Sequence, residues 1–186
     1  MYWYKVKLKC LAICLGGIAL LFFNSACKPN ISNNGTASKY FDIKGYFAAE
    51  AARLTKLNKP VLKTVMDNKN VETKEVFIKD WDTELDFFKS ADINKPAWKD
   101  SYDVDTSGGF LIYKAKDQNL KTLELIIKKQ GPKVKWILIF SRTKNLLYQT
   151  REKLTYYPDS LYLIQKKQFV RVLGINNYTI KGVFNR

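Results

Sequence analysis

Residues 133–142 read KVKWILIFSR and contain five consecutive apolar side chains, from Trp136 to Phe140. An apolar run of this length, bounded by turn residues, is typical of a strand that is buried within a sheet. Gln130-Gly131-Pro132 precedes the segment, and the polar pair Thr143-Lys144 follows it. Because both faces of such a strand are apolar, we predict that it is central and covered on both sides.

Seven strand-like segments follow one another after residue 98, joined by short polar or glycine-containing connections. Short connections make neighbouring strands antiparallel, because a parallel pair needs a crossover of a dozen or more residues. We place the last connection at Gly174-Ile175-Asn176. The sequence therefore predicts an antiparallel meander with strands at 98–105, 109–116, 119–129, 133–142, 145–157, 160–173 and 177–184.

The residues before the meander predict two helices and a hairpin. Residues 40–57 carry apolar side chains at steps of three and four, the period of one helix face, and Asn58-Lys59-Pro60 ends the pattern. Two segments rich in β-branched residues then flank Asn68-Lys69-Asn70, which predicts a β-hairpin. A short second helix begins after the capping residue Asp80. Its apolar face consists of Trp81, Leu85 and Phe88.

Together these elements predict an α+β fold in a single globular domain that spans residues 40–186. The N-terminal helix packs on the antiparallel meander, and the short second helix follows the first hairpin. A strongly twisted sheet of about nine strands must curl or close. We therefore expect a curled, half-barrel-like sheet with the first helix against its concave side.

The composition excludes several kinds of catalytic site. The 186-residue chain has no histidine, the side chain that most often acts as a general base or binds zinc or iron near neutral pH. All three cysteines, Cys10, Cys14 and Cys27, precede residue 28, so later residues offer no disulfide, thiolate ligand or cysteine nucleophile. Phosphate-binding loops and nucleophile elbows are also absent from the sequence. We therefore expect no catalytic residue, no cofactor and no metal.

The first 26 residues have the pattern of an export signal. Lys5, Lys7 and Lys9 precede fourteen uncharged, mostly apolar residues at 10–23. As a helix these fourteen residues reach about 21 Å, which is short of the roughly 30 Å hydrocarbon core of a bilayer. The pattern predicts a signal peptide rather than a permanent membrane span.

Small residues lead into a cysteine at Asn24-Ser25-Ala26-Cys27, and in this the first 27 residues resemble a bacterial lipoprotein precursor with a relaxed lipobox, as in Bacteroidota. The resemblance implies that residues 1–26 are removed and that Cys27 is lipidated. Its acyl chains would anchor the protein to a membrane of the cell envelope. Residues 27–39 would then be the lipidated cysteine and a flexible tether. Unlipidated cleavage after Ala26, an uncleaved anchor and lipidation of Cys14 are the alternatives.

Basic residues outnumber acidic ones, and their excess lies in the second half of the chain. The whole chain has 32 basic and 17 acidic residues, and loss of residues 1–26 would leave a net charge of +12. Residues 28–117 are nearly neutral, whereas residues 118–186 hold 14 basic and three acidic side chains. Such a surface attracts anions, including lipid phosphates and acidic glycans. A lysine-rich surface that is simply solvated is the alternative.

Two groups of acids could carry chemistry. Residues 103–108, DVDTSG, match the opening of a calcium loop, but the twelfth position is Lys114 where a bidentate glutamate is needed, so we predict a glycine turn instead. Eight acids lie between Asp80 and Asp105, and paired carboxylates can hydrolyse glycosides. Helix capping and placement in the first helical turn account for four of these eight acids.

Three tyrosines surround the turn at Pro158-Asp159: Tyr156, Tyr157 and Tyr162. Clustered aromatic rings can stack on sugars or enter a membrane interface, so these three are candidates to face a ligand. A turn in which the tyrosines are half-buried is the alternative.

Three functions are consistent with these observations. The first is a lipid-anchored envelope lipoprotein with a non-catalytic binding or interaction module for an envelope protein, glycan or lipid. The second is a carrier or sensor of an apolar, lipid-like ligand held in a half-barrel cavity. The third is an enzyme that uses carboxylates, tyrosine or lysine. We expect no nucleic-acid partner, because an exported, lipidated chain does not meet its own genome.

Overall fold

The computed structural model describes residues 38–184. In that part of the chain the helices are α1 (Ile43–Leu57), α2 (Trp81–Glu84) and α3 (Asp86–Lys89). The strands are β1 (Val61–Asp67), β2 (Asn70–Val76), β3 (Tyr102–Asp105), β4 (Phe110–Ala115), β5 (Thr122–Gln130), β6 (Lys133–Lys144), β7 (Tyr148–Tyr157), β8 (Leu161–Val170) and β9 (Gly174–Phe184). The predicted signal peptide at 1–26, Cys27 and most of the tether at 27–39 lie outside the described residues.

All nine strands belong to one antiparallel sheet, and the fold is α+β with mostly sheet. The strand order is β2-β1-β9-β8-β7-β6-β5-β4-β3, so the sheet is open, with β2 and β3 at its two edges. From β3 to β9 each strand pairs with the next one in the chain, which confirms the predicted meander.

Helix α1 forms where the apolar period predicts it. The Asp42 carboxylate caps its first turn by accepting a hydrogen bond of 2.8 Å from the Gly45 backbone N–H. Asn58 ends the helix in the left-handed conformation at φ 45°, and its N–H donates to the Leu54 carbonyl. The side chains that α1 buries recur at steps of three and four: Ile43, Phe47, Ala51 and Leu54.

The predicted hairpin is formed by β1 and β2, and the structure shows where it attaches. Strand β1 pairs with β2 on one side and with β9 on the other, with Val61 opposite Phe184. Asn68, in the hairpin turn at φ 53°, binds Asn177 of β9 through two hydrogen bonds of 2.8 and 3.0 Å. The N-terminal hairpin therefore extends the sheet beyond the last strand of the meander.

The predicted second helix is divided into α2 and α3 at Leu85. The backbone of Leu85, at φ −92° and ψ 9°, departs from helical geometry, so each segment is only four residues long. The Asp80 carboxylate caps α2 as predicted, accepting from the Thr83 backbone N–H at 3.0 Å. The predicted apolar face is also confirmed, because Trp81, Leu85 and Phe88 are all buried.

Several boundaries of the meander were predicted incorrectly. The connection between β6 and β7 lies at 145–147 rather than at 143–144, and β5 begins at Thr122 rather than at residue 119. The last turn lies at 171–173, and β9 begins at Gly174, where φ is 83°. The apolar pair Val172-Leu173 has the pattern of strand residues but lies in the turn. For this reason we predicted the connection at 174–176, three residues too late in the chain. The first strand begins at Tyr102 rather than at residue 98, since Pro96–Trp98 forms a 3-10 turn.

Strand β6 lies in the interior of the sheet, but only one of its faces is fully covered. Ile137 and Ile139 expose no surface, whereas Leu138 and Phe140 on the opposite face are partly exposed. The prediction that β6 is covered on both sides is therefore wrong. The physical reason is that α1, α2 and α3 all contact the same face of the sheet, through rings that touch Tyr156 or Tyr162. We call this the inner face and the opposite one the outer face.

Candidate functional site

Two buried tyrosines lie side by side where the helices meet the inner face. Tyr156 of β7 and Tyr162 of β8 are direct cross-strand partners, and neither side chain exposes any surface. Each phenol donates a hydrogen bond to a carboxylate supplied by a helix, Glu50 of α1 or Glu84 of α2. With their cations Arg53 and Lys63, these residues form the tyrosine–carboxylate network.

In the first half of the network, Glu50 is held by a phenol and a guanidinium. The Tyr156 hydroxyl donates to Glu50 Oε2 at 2.5 Å. Arg53 donates from Nε and Nη2 to the two carboxylate oxygens, at 2.9 and 2.8 Å, in a bidentate pair. Arg53 Nη2 also donates to the Pro158 carbonyl at 2.7 Å. Residues three apart lie on the same side of a helix, so α1 brings Glu50 and Arg53 together.

In the second half, Glu84 is shared by a phenol and an ammonium. The Tyr162 hydroxyl donates to Glu84 Oε1 at 2.6 Å, and Lys63 Nζ donates to Oε2 at 2.7 Å. Lys63 lies between the inward residues Val61 and Val65, so strand alternation directs its side chain to the inner face. This half of the network therefore joins α2 to β8 and β1.

Burial determines the protonation state of the two phenols. Desolvation raises the pKa of Tyr156 far above its ordinary value, and the neighbouring Glu50 charge raises it further. Desolvation, followed by the hydrogen bond to Glu84, likewise raises the pKa of Tyr162. Both phenols are therefore neutral hydrogen-bond donors over the physiological pH range. Neither is activated as a phenolate nucleophile or base.

The network attaches helices to the sheet. Each carboxylate accepts hydrogen bonds from both a cation and a phenol, so Glu50 and Glu84 each join a helix to the sheet. Among residues 38–184, Ser141 Oγ is the one buried side-chain polar atom without a hydrogen-bond partner.

Side chains fill most of the space between the helices and the inner face. Phe47 stacks on Phe88 with ring centroids 4.7 Å apart, and Tyr156 meets Phe47 edge-on at 4.9 Å. A cavity of about 170 Å³ lies at the end of α1, next to Leu57, Trp81 and Phe184. Sites for small organic ligands usually occupy about 300–1,000 Å³. This cavity and three larger hollows are all open to solvent, and all have charged side chains in their linings.

The acids between Asp80 and Asp105 are spread over several local structures. Asp80 caps α2, Asp82 lies 2.7 Å from Lys89 Nζ, and Asp105 accepts from the Ser107 backbone N–H at 2.9 Å. Asp100 pairs with Lys39, and Asp103 lies 3.7 Å from Lys116. Of these acids only Glu84 takes part in the tyrosine–carboxylate network.

The segment that resembles a calcium loop forms a glycine turn. Antiparallel strands β3 and β4 lie on either side of Ser107–Gly109. Gly108 and Gly109 both have positive φ, at 60° and 74°, a conformation that favours glycine. Within residues 38–184 no cluster of three or more metal-ligating acids or cysteines occurs.

The structure separates the three tyrosines that the sequence groups together. Tyr156 and Tyr162 lie under the helices on the inner face, where they donate to carboxylates. Tyr157 is 39% exposed and points to the outer face by strand alternation. The three rings therefore do not form one surface. That any of them faces a ligand stays a prediction.

Sequence reasoning missed Glu50, Arg53 and Lys63. Two signals were present for them. Glu50 and Arg53 are an acid and a base three residues apart on a predicted helix, and Lys63 interrupts the apolar side of a predicted strand. Neither signal identifies the partner tyrosines, because these come from strands roughly a hundred residues further along the chain.

No helix in the described part of the chain has both the length and the apolar character needed to cross a membrane. In comparisons with known proteins, no family model, curated protein or solved structure matches this chain.

Proposed function

We propose that this protein is a lipid-anchored lipoprotein of the bacterial cell envelope whose domain is a non-catalytic binding or interaction module. Residues 1–26 act as the signal peptide, Cys27 carries the acyl chains and residues 27–39 form the tether. The domain from residue 40 onwards then projects from the membrane, facing the periplasm or the cell surface, and binds an envelope protein, a glycan or a lipid.

The main observation in support of a non-catalytic function is that buried side chains fill the space between the helices and the inner face. Tyr156, Tyr162, Phe47 and Phe88 are completely buried there, and the two carboxylates beside them are already paired. We propose that the sheet curls around α1 as a half-barrel whose concave side is occupied by these side chains. A module of this kind presents its outer surface and its loops to a partner.

The second candidate function is a carrier or sensor of an apolar ligand. The small cavity beside Leu57, Trp81 and Phe184 favours it, because the lining is mainly apolar. An outward shift of α1 would enlarge this cavity toward the volume that a lipid chain requires.

Lipidation of Cys27 is tested by one substitution with a matched control. We expect Cys27→Ala to abolish incorporation of labelled palmitate, because the thiol that receives the diacylglycerol is lost. Cys14→Ala, in the same apolar N-terminal region, should label like the parent chain. Labelling that persists in Cys27→Ala, or that is lost in Cys14→Ala, would contradict the assignment. The measurement is palmitate labelling of cells followed by purification of the chain.

A further inference from the structure

Two neighbouring hairpin turns present four large aliphatic side chains to solvent. Leu146 and Leu147 lie in the turn between β6 and β7, and they are 91% and 72% exposed. Val172 and Leu173 lie in the turn between β8 and β9, and they are 90% and 84% exposed. We call these four residues the apolar tips. Turns normally carry polar residues, glycine or proline, so four exposed aliphatic side chains at one end of a sheet need an explanation.

The two turns form one ordered structure. Asn145 Oδ1 accepts hydrogen bonds from the backbone N–H groups of Leu147 and Tyr148, at 2.9 and 2.8 Å. The Arg171 backbone N–H donates to the Leu147 carbonyl at 3.0 Å, which joins one turn to the other. The strands below them are paired from Tyr148 opposite Val170 downwards. The apolar tips are therefore held at the same end of the sheet by hydrogen bonds.

Five cations lie at the same end of the sheet as the apolar tips, two beside the tips in sequence and three further along the strands. Lys144 ends β6, and Arg171 lies in the second turn, so both are adjacent to the tips in sequence. On the outer face, Arg142, Arg151 and Lys167 form a row across β6, β7 and β8. At about 3.3 Å per residue, this row lies roughly 13 Å below the turns. We call these five residues the cationic border.

The cationic border has no anionic partner within the described domain. Arg142 is directly opposite Arg151, and Arg151 is directly opposite Lys167, an arrangement of like charges that destabilises a sheet. No carboxylate of residues 38–184 lies within 4 Å of any of the five cations. An external anion would relieve this repulsion, and apolar surface beside the cations would leave water at the same time.

We propose that the apolar tips insert into the interface of a bilayer that contains anionic phospholipid, with the cationic border at the level of the headgroups. Apolar side chains beside Lys and Arg are the combination that binds such an interface, because acyl chains bury the former and lipid phosphates attract the latter. The Arg142 guanidinium donates to the Gln118 carbonyl, but no negative charge among residues 38–184 lies beside it. An apolar groove of a partner protein would bury the tips but would not require five cations that lack a carboxylate partner. The inference goes beyond the proposed function and does not depend on lipidation of Cys27.

The test places a tryptophan at the tips. Leu146→Trp is made in the full chain, as the cell produces it, and reconstituted in vesicles of phosphatidylethanolamine and phosphatidylglycerol with brominated acyl chains. Gln130→Trp is the matched control, since Gln130 is exposed at the end of β5, at the opposite end of the sheet. After subtraction of the parent emission, we expect bromine to quench Leu146→Trp at least roughly threefold more than Gln130→Trp. Equal quenching at the two positions would overturn the proposal.

Two further comparisons assign the effect to the tips and to the cations. Leu147→Ser, Val172→Ser and Leu173→Ser, added together to Leu146→Trp, should lower its quenching to the level of Gln130→Trp. Vesicles of phosphatidylcholine alone should also lower the quenching of Leu146→Trp, because they offer no excess negative charge. Unchanged quenching in either comparison would contradict the proposal.

Other occupants of the tips and a failure of the anchor give different results. If a second copy of the chain covers the tips, size-exclusion chromatography gives a dimer for the parent chain and a monomer for Leu146→Ser. Bromine then does not quench Leu146→Trp, and that result overturns the proposal. A chain recovered in the soluble fraction counts against the anchor at Cys27 alone. The vesicles are then added to that soluble chain, and the same difference between Leu146→Trp and Gln130→Trp is expected.

Discussion

Gly182 allows the Tyr162 ring to lie flat against the neighbouring strand. The two residues are cross-strand partners, and a Cβ atom at Gly182 would overlap the Tyr162 ring. The ring has little freedom to move away, because its hydroxyl is bound to Glu84 and its edge contacts Trp81. A single hydrogen in place of a side chain is therefore a packing requirement of the inner face.

We expect Gly182→Ala to lower the free energy of unfolding by about 1–3 kcal/mol, since the added methyl group displaces a fully buried ring. Lys181→Ala, at the adjacent exposed position, should change it by less than about 0.5 kcal/mol. Urea denaturation of a chain beginning at Lys28, followed by circular dichroism, measures both values. Equal denaturation midpoints for the two variants would show that the Tyr162 ring can shift without lowering the stability of the domain.

At the scale of elements, α2 and α3 depend on their contacts with the sheet. A helix of four residues is far too short to be stable alone. Trp81 packs edge-on against Tyr162 and Phe184, and Glu84 binds Tyr162 and Lys63. The polar contacts of Glu84 and the ring contacts of Trp81 therefore hold α2 on β8, β9 and β1.

A double-mutant cycle tests the polar part of this attachment. Glu84→Met and Tyr162→Phe should each lower the free energy of unfolding by about 1–3 kcal/mol, because each removes one partner of the buried hydrogen bond between the two residues. The double variant should lose less than the sum of the two single losses, by about 0.5–3 kcal/mol. Strictly additive losses would mean that the hydrogen bond between Glu84 and Tyr162 contributes nothing. The exposed ion pair of Asp103 and Lys116 is the matched control, and its coupling should be below about 1 kcal/mol.

Local patterns were sufficient to predict most individual elements. The steps from Ile43 to Leu54 give α1, and the cap at Asp80 gives the start of α2. Local patterns gave wrong predictions where apolar residues lie outside the core, in a turn or on the outer face. Val172 and Leu173 extend the pattern of β8 although they form a turn, and the outward side chains of β6 are apolar although no described helix covers them.

At the scale of the whole molecule, the filled inner face decides whether the domain can carry a ligand. We expect native mass spectrometry of a chain beginning at Lys28 to give the mass of the polypeptide alone. Phe47, Phe88 and Tyr156 occupy the space that a lipid would need. A co-purifying lipid that survives gas-phase activation would favour the carrier instead. Lipid carried by a Leu146→Ser chain would show that the bound molecule sits inside the domain rather than at the apolar tips.

Sheet order and the tyrosine–carboxylate network could not be predicted from the sequence. Short connections give the order of the meander from β3 to β9, but a hairpin such as β1 and β2 can join either edge of it. Only the three-dimensional pairing of Val61 with Phe184 shows which edge it joins. The contact between Tyr156 and Glu50 could not be predicted for the same reason. The two residues are 106 positions apart in sequence, and nothing local to either residue identifies the other.

The pairing of β1 with β9 also affects when the sheet can be completed. A chain is synthesised from its N-terminus, so β1 leaves the ribosome long before β9 does, and until then one side of the hairpin lacks its neighbour. Contacts between residues so distant in sequence form slowly, because a long loop must close first. The sheet therefore cannot be completed until nearly the whole chain has been synthesised, because β1 has to wait for the strand that forms last.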